Sequence, residues 1–461
     1  MNTEKSRSAE VRETLTYCGG NDRLHVIFLA LPMLFETVFN NLISTVNTTV
    51  LSGYSETGVA ATGSVGTVLN MLILVFTALS VGASIAISNY LGAKEWETAR
   101  RLVFVGATLC IGIGAVISGV CFFAAGGIVA LLNLTGEVFT LAVAYFKIRV
   151  AALTVAALQA VLLAVLRCYG HTRHTVYAGV LQSVVNTGLS VLAVRFPTTT
   201  VAVVQNIALA AVVGQICGLL LTLFFCKRLG IRARRVQNAR AFWALTAIVL
   251  RFGIPAALSG GAYTLSQVVR SALAPLISLA AVSATVYYNN ILCYAYIISY
   301  SLGSADSIFT GRLCGAGEFD HAERVNRLLV KCTAVANFLF SLILFLSRRV
   351  LLGIYTDNPQ ILAWSTAVFA IDFVAEGARA VSHIYEYSLR GAGDVRFMMV
   401  AMILSGWTFG VGGAYLFGIQ LQMGVAGFFL ATALDEVCRA AVAVRRWRVG
   451  KWKTIFATKT A

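Results

Sequence analysis

The sequence is poor in charged residues and in proline. Only 12% of its 461 residues are Asp, Glu, Lys or Arg, and only five are proline. An average soluble domain has about 25% charged and roughly 45–50% apolar residues, whereas 58% of this chain is hydrophobic. This composition excludes a soluble globular protein and is typical of a chain that lies largely within a lipid bilayer.

Motifs that would assign an enzymatic chemistry are also absent. The ten cysteines show no CxxC or Cys/His spacing for a metal, and we interpret them as small reduced hydrophobic residues. The chain has no GxxxxGK[ST] phosphate loop, no HExxH and no paired GxGD-type aspartates. The segment before Arg23 has no apolar core, so we expect no cleavable signal peptide. We therefore predict that the protein is not an enzyme, does not use ATP directly and has no metal or other cofactor.

Apolar stretches recur along the chain, and each is long enough to cross a bilayer as a helix. A spanning helix needs about 20 mainly apolar residues, and its backbone hydrogen bonds must be satisfied internally. We therefore predict an all-α integral membrane protein with about 12 transmembrane helices. The predicted spans are residues 25–51, 65–91, 102–124, 141–167, 174–195, 201–226, 248–278, 283–311, 328–347, 362–389, 397–417 and 424–444.

Basic residues are concentrated in alternate loops between these spans. The chain has 36 Lys and Arg against 20 Asp and Glu, and the excess lies mainly in the N-terminal segment, the central loop, the C-terminal tail and the loops on their side. By the positive-inside rule, these regions face the cytoplasm. We predict a multi-pass protein of the plasma membrane with both termini cytoplasmic, whose partners are the lipid bilayer and not nucleic acid. Trp447 and Trp452 in the basic tail suggest an interfacial anchor.

The sequence repeats itself with an offset of 223 residues. The run Leu91-Gly-Ala-Lys-Glu-Trp after the second span returns as Cys314-Gly-Ala-Gly-Glu-Phe after the eighth. Pro32 in the first span falls on Pro255 in the seventh, and we expect both prolines to bend their helices. Each repeat holds six spans, an even number, so the two repeats are parallel and related by an axis along the membrane normal.

The repeat and the loops divide the chain into five segments. An arrangement of two parallel bundles places a cavity between them, and a rocking motion then gives alternating access. The predicted segments are a cytoplasmic N-terminal segment (1–24), an N-lobe of six spans (25–227), a cytoplasmic linker (228–247), a C-lobe of six spans (248–446) and a basic cytoplasmic tail (447–461).

Four short motifs in the two repeats point to a family of transporters. They are Ala30-Leu-Pro-Met-Leu-Phe-Glu36, Val46-Asn-Thr-Thr-Val-Leu-Ser-Gly-Tyr-Ser55, Asn89-Tyr-Leu-Gly-Ala93 and Leu389-Arg-Gly-Ala-Gly-Asp394. With these motifs the chain resembles the multidrug and toxic compound extrusion (MATE) transporters, within the multidrug/oligosaccharidyl-lipid/polysaccharide flippase superfamily. The resemblance implies a V-shaped pair of six-helix lobes, cation-coupled antiport, and export of amphipathic, often cationic, organic compounds.

The sequence departs from this resemblance at two acidic positions of the N-lobe. Families of this kind associate a Val-Asp-Thr run in the first span with cation coupling, and here that run reads Val46-Asn47-Thr48. The fifth span usually carries Asn followed four residues later by Asp, and here it has Asn186 and Ser190. Asn47, Asn186 and Ser190 can coordinate a cation or bind substrate but cannot exchange a proton, so they are candidates for a substrate cavity.

The loss of these two acids either abolishes the coupling to H⁺ or Na⁺ or relocates it to other ionisable residues. Glu36 lies one helical turn after Pro32, on the same face of the first span. The tenth span carries five ionisable residues that step by 4, 3, 4 and 3 positions, which places them on one face that cannot contact lipid. The coupling candidates are Glu36, Asp372, Glu376, His383 and Glu386, and the further cavity candidates are Gln267, Arg270, Tyr287, Asn290 and Arg379.

Among the candidate residues inside the spans, acids outnumber bases, which favours export of a cation: Glu36, Asp306, Asp372, Glu376, Glu386, Asp435 and Glu436 stand against Arg270, Arg379 and Arg439. We predict a secondary active efflux transporter, monomeric, that exports amphipathic, cationic small molecules in exchange for H⁺ or Na⁺. The alternative is a flippase or exporter of a lipid-linked or metabolite substrate, since flippases of the same superfamily commonly have a strongly cationic cavity. For the tenth span, the alternative is a buried, mutually neutralising network that holds the C-lobe rigid.

Overall fold

The computed structural model describes residues 30–39, 56–132, 134–195 and 199–457, except for the side chains of residues 56, 200, 456 and 457. Throughout these residues the regular structure is helical and no strand is present. The first predicted span is represented by its residues 30–39, and the rest of it, including Asn47, lies outside the described residues. The predicted all-α fold is confirmed.

The helices are long and most are joined by short turns. In chain order they are α1 (Ala30–Phe39), α2 (Glu56–Gly92), α3 (Trp96–Phe123), α4 (Ala125–Ala130), α5 (Gly136–Ala151), α6 (Leu153–Cys168), α7 (Thr172–Arg195), α8 (Thr200–Arg228), α9 (Ala239–Leu273), α10 (Leu279–Gly315), α11 (Phe319–Gly353), α12 (Pro359–Gly391), α13 (Val395–Ser405), α14 (Gly424–Val449) and α15 (Trp452–Ala457). A 3₁₀ turn, Ala274–Leu276, follows α9, and two π-helical segments, Gly406–Gly412 and Ala414–Gln420, extend α13.

Most of these helices can cross a membrane by length and composition. Within the described residues eight do so individually, or nine if α5 and α6, which are bent by 46° at Ala152, form one broken span. α10 and α14 carry polar or acidic residues inside the protein, such as Asp306 and Glu436. Interior charges on spanning helices are rare and mark functional or structural networks.

The described residues group into two compact units. One contains residues 35–39, 56–87 and 95–254, and the other contains residues 30–34, 88–94 and 255–457. In the second unit, α10 and α12 are tied by the Tyr288 hydroxyl, which donates to the Ile361 carbonyl at 2.6 Å. The end of α14 and α15 also pack into this unit, where Trp447 and Trp452 stack at 4.0 Å and are buried. The interpretation of these two tryptophans as interfacial anchors is therefore wrong, because their rings contact protein.

The 223-residue repeat returns as repeated backbone geometry. Lys94 and Gly317 both adopt positive φ, at 61° and 77°, in the turns that follow α2 and α10. Gly170 and Gly393 do the same, at 84° and 88°, after α6 and α12. In all four turns the N–H of the left-handed residue donates to the carbonyl three residues earlier, at 2.9 to 3.1 Å. Since the two members of each pair are 223 positions apart, the predicted two-repeat organisation is confirmed.

Glycine residues allow the second π-helical segment, Ala414–Gln420, to pack closely against α14. Gly427 lies so close to the π-helical segment that a Cβ there would be 2.6 Å from the backbone nitrogen of Gly418. A Cβ on Gly418 would in turn collide with the ring of Phe428. Only glycine allows this approach, which brings Phe428 into the wall of the cavity described below.

Candidate functional site

A cavity of about 460 Å³ lies inside the second unit, among α9, α10, α12 and α14. Helical periodicity explains which residues line it, because positions three, four or seven apart share a face. Tyr263, Gln267 and Arg270 do so on α9, and Asp372 and Arg379 do so on α12. Its volume falls in the range of roughly 300–1,000 Å³ that is common for small-molecule sites.

The structure brings four of the predicted residues together in this cavity, namely Gln267, Arg270, Asp372 and Arg379. Two others, Tyr287 and Asn290, do not line it. Tyr287 stacks on Tyr355 with ring centroids 5.3 Å apart, and Asn290 is exposed. The cavity face of α10 is offset by one or two residues and carries Thr285, Asn289, Leu292, Cys293 and Tyr296.

Asp372 is the free acid of this cavity. It is 5% exposed and lies in the cavity wall. Among the described residues, none donates a hydrogen bond to its carboxylate or forms an ion pair with it. A buried carboxylate without a partner is expensive, so this position favours a ligand that supplies one.

The other acids near the cavity are held by arginines in what we call the α12–α14 ion-pair cluster. Arg379 pairs with Glu376 one turn earlier on α12, as its sequence spacing predicts, and with Glu436 on α14 at 3.3 Å. Arg439 pairs with Glu436 at 2.6 Å and with Asp435 at 3.1 Å. All five side chains are buried. This geometry resembles the buried network that the sequence left as an alternative, although its three acids and two arginines leave one negative charge in excess.

Hydroxyl and amide groups complete the hydrogen bonds of the cluster. The Asn337 amide donates to Glu376 at 2.8 Å, the Ser382 hydroxyl donates to Glu436 at 2.7 Å, and the Ser405 hydroxyl donates to Asp435. Buried charges are tolerated when they are both paired and hydrogen-bonded in this way. The cluster therefore has the features of a permanent structural element beside the cavity.

Arg270 differs from the arginines of the cluster because its partners are neutral. Its Nη1 donates to the Thr432 hydroxyl at 2.6 Å and its Nη2 donates to the Gln267 side chain. Its buried Nε has no partner within the described residues, and no described carboxylate lies within ion-pair distance of it. The residue is 9% exposed, so it places a guanidinium without an ion-pair partner in the cavity wall.

His383 and Glu386, the remaining candidates on α12, do not line the cavity. His383 packs edge-on against Tyr296, with ring centroids 5.2 Å apart, and Tyr296 forms part of the wall. Glu386 pairs with Arg390 at 2.5 Å. Arg390 lies one residue beyond the predicted tenth span (362–389), yet it belongs to α12 and pairs with a buried acid. The surplus of acids over bases inside the protein is therefore smaller than the sequence suggested.

In the first unit, Glu36 already has two partners. Arg167 donates to one carboxylate oxygen at 2.6 Å, and the Thr175 hydroxyl donates to the other at 2.9 Å. Asn186 and Ser190 lie one turn apart on α7, and the Ser190 hydroxyl donates to the Asn186 side chain at 3.5 Å.

Pro255 lies inside α9, which is helical on both sides of it. The bend of 46° between α5 and α6, at Ala152, has no proline.

Sequence reasoning missed the aromatic part of the cavity wall. Tyr263, Tyr296, Phe428 and Phe429 line it together with the charged residues. The spacing of Tyr263 from Gln267 and Arg270 on α9 was a usable signal, but the α14 residues could not be placed without knowing which helices meet. Within the described residues, no group of three or more His, Cys, Asp or Glu is arranged to hold a metal ion.

Comparison with protein families gives one match that covers most of the chain. The model of the MatE family matches residues 32–192 and 255–416, two segments that begin 223 residues apart. The uncharacterized transporter YisQ of Bacillus subtilis is 27% identical over 430 residues, which cover 92% of this chain and 94% of that protein. The probable multidrug resistance protein NorM of Thermotoga maritima is 24% identical over 436 residues, covering 94% of this chain and 93% of NorM.

Solved structures share the fold at lower sequence identity. A crystal structure of MATE in the bent conformation superposes with a TM-score of 0.86 at 19% identity, covering 97% of this chain and 99% of that one. A transporter of the MOP superfamily from Pyrococcus furiosus, described as having a binding pocket of reverse polarity, superposes with a TM-score of 0.83 at 19% identity and covers 94% of this chain and 97% of that one.

Proposed function

The chain belongs to the MatE family of membrane transporters and is not an enzyme, and from this premise we propose that it is a secondary active exporter of amphipathic organic compounds that carry a positive charge. Relatives named multidrug resistance protein NorM and MdtK support an efflux function with several substrates. The single observation that carries the proposal is Asp372, a buried carboxylate without a partner in the wall of a cavity of about 460 Å³.

The cavity suits an amphipathic cation. Tyr263, Tyr296, Phe428 and Phe429 offer aromatic faces, which attract cations and stack on flat ring systems. Asp372 supplies the negative charge that orients the cationic group. The acids of the α12–α14 ion-pair cluster are engaged with Arg379 and Arg439, so they contribute less to binding.

We further propose that the coupling ion, H⁺ or Na⁺, and the substrate compete for Asp372. Two ligands that exclude each other from one carboxylate are exchanged, and the gradient of one then drives export of the other. Glu376, His383 and Glu386, which follow Asp372 on the same face of α12, and Glu36 of the first unit, which is already paired with Arg167, are secondary candidates. Alternating access by rocking of the two repeats, with cytoplasmic termini and a monomeric chain, completes the proposal and is supported by the repeat and the basic loops.

Efflux of ethidium from reconstituted vesicles tests the proposal. We expect an imposed proton gradient or an imposed sodium gradient to drive efflux, and the responding gradient identifies the coupling ion. Asp372→Asn removes the charge with little change in volume and should abolish this efflux. Glu318→Gln, which removes an acid that is 44% exposed and lies outside the cavity, is the matched control and should remain active.

Two results would contradict the proposal. Full gradient-driven efflux by Asp372→Asn would remove Asp372 from coupling and substrate binding. Absence of ethidium efflux under both gradients would instead favour the second candidate function, export of a lipid-linked or metabolite substrate. The observation that favours this alternative is Arg270, because a guanidinium whose hydrogen-bond partners are neutral attracts phosphate or carboxylate groups.

A further inference from the structure

Two charged side chains of opposite sign, neither of them in an ion pair among the described residues, face the same cavity. Asp372 on α12 is 5% exposed and Arg270 on α9 is 9% exposed, so both are more than nine-tenths buried. The other buried arginines of the described residues, Arg379 and Arg439, each have two carboxylate partners. Resting on the transport function proposed above, we propose that this cavity selects zwitterionic substrates and that Arg270 binds their anionic group.

Arg270 is held in place by a chain of neutral hydrogen bonds. The Thr432 hydroxyl that accepts from Arg270 donates to the Phe428 carbonyl at 3.1 Å. The Gln267 side chain, which accepts from the other Nη, donates to the Tyr263 hydroxyl at 2.9 Å. These partners fix the guanidinium without cancelling its charge. A group that is positioned in advance loses little conformational entropy when it binds an anion.

The carboxylates that could neutralise Arg270 are already engaged. Asp435 and Glu436 act on Arg270 electrostatically, but both are bound by Arg439 at 3.1 and 2.6 Å. Asp372 is attracted electrostatically by Arg379, but among the described residues neither Asp372 nor Arg270 has an opposite charge within ion-pair distance. Asp372 and Arg270 therefore line one cavity without forming an ion pair with each other.

This arrangement discriminates between substrates by charge. A simple cation is attracted by Asp372 but is repelled by Arg270 and leaves Arg270 without a partner. An anion is attracted by Arg270 but is repelled by Asp372 and leaves Asp372 without a partner. A zwitterion supplies a partner to both side chains. Selectivity of this kind is large when a mismatched ligand leaves a buried polar group unpaired. A hydrogen bond to a charged group contributes enough to change affinity by about tenfold to a hundredfold.

A matched pair of dyes tests the inference. Rhodamine 110 has a free carboxylate and is zwitterionic, whereas rhodamine 123 is its methyl ester and carries only the positive charge. Both have the same fluorescent ring system, so fluorescence anisotropy measures their binding to the purified protein, and efflux from vesicles measures their transport. We expect the wild type to bind rhodamine 110 at least tenfold more tightly than rhodamine 123.

Variants at Arg270 and Asp372 separate the two charges. Arg270→Gln should lower the affinity for rhodamine 110 by about tenfold or more and leave rhodamine 123 bound equally or more tightly. Arg270→Lys keeps the charge and should retain part of the preference, while Asp372→Asn should weaken both dyes. Arg348→Gln, which removes an arginine of α11 outside the cavity, is the control and should bind both dyes as the wild type does.

The outcomes distinguish this inference from the proposed function. If the wild type binds and exports rhodamine 123 as well as rhodamine 110, and Arg270→Gln changes neither, the transport function stands and the zwitterion inference is overturned. If the wild type neither binds nor exports either dye, both proposals fail. The comparison of the two dyes on the wild type needs no variant, so the inference is decided even where Arg270→Gln does not fold.

Discussion

Arg439 provides the sharpest test of how the α12–α14 ion-pair cluster stabilises the second unit. Glu376, Asp435 and Glu436 bring three negative charges to the cluster, while Arg379 and Arg439 bring two positive charges. Replacing Arg439 by Gln changes the net charge of the cluster from −1 to −2. Asp435 then loses its only ionic partner among the described residues and keeps just the hydrogen bond from the Ser405 hydroxyl.

The expected cost is large because the arginine is 4% exposed. Breaking a buried ion pair by removing one partner costs about 3–5 kcal/mol, since the remaining charge stays in a medium of low polarity. Removing an exposed partner costs about 0–1 kcal/mol. Arg234→Gln is the matched control, because Arg234 and its partner Glu97 are 56% and 49% exposed. Arg439→Gln should therefore destabilise the protein several-fold more than Arg234→Gln.

Thermal unfolding of the purified proteins in detergent, at one fixed scan rate, measures the difference. A loss of 3–5 kcal/mol lowers the midpoint by about 5 to 15 °C if a unit of roughly 200 residues unfolds cooperatively. The double variant Asp435→Asn/Arg439→Gln restores the net charge of −1 and should recover part of the loss, with a coupling energy of about 0.5–3 kcal/mol. Equal midpoints for Arg439→Gln and Arg234→Gln, or strictly additive effects in the double variant, would refute this reasoning.

Three further predictions concern single sites. Glu36→Gln breaks the ion pair with Arg167 at 2.6 Å, so it should lower the unfolding midpoint and leave the pH dependence of efflux unchanged. A folded variant that has lost pH-driven efflux would instead assign the coupling to Glu36. Cys293 is exposed in the cavity wall, so a bound dye should slow the labelling of Cys293 by a maleimide but not the labelling of Cys332. Peptide mass spectrometry measures both rates, and equal slowing at the two cysteines would argue against dye binding in the cavity. Gly393→Ala places a residue with a Cβ at a backbone φ of 88°, so it should destabilise the protein by about 1–2 kcal/mol in the same unfolding assay. An unchanged unfolding midpoint would contradict the expected backbone strain.

Patterns in the sequence were enough to predict the helices, the repeat and the ion pair of Glu376 with Arg379. The apolar runs predict the helices because each run is continuous over the length of a span, and the interior backbone must be bonded locally. The pair of Glu376 and Arg379 follows from a spacing of three residues on one helix. Loop charges and motifs 223 residues apart likewise needed no knowledge of packing.

The composition of the cavity depended on the phase of each helix and could not be read from residue types alone. Asn289 and Asn290 are adjacent and chemically identical, yet only Asn289 lines the cavity because neighbouring residues on a helix point about 100° apart. For the same reason Tyr296 lies in the wall and Tyr287 stacks on Tyr355.

The sequence by itself determined that this is an all-helical membrane protein made of two repeats, with one ionisable face on α12, because each of these features is encoded in local periodicity or in direct repetition. Only the tertiary structure decided which charges are compensated. Glu436 meets Arg379 across 57 positions, and Glu36 meets Arg167 across 131. Those contacts pair most of the acids and leave Asp372 and Arg270 in the cavity without an ion-pair partner among the described residues. Pairing in space depends on how helices distant in sequence pack together.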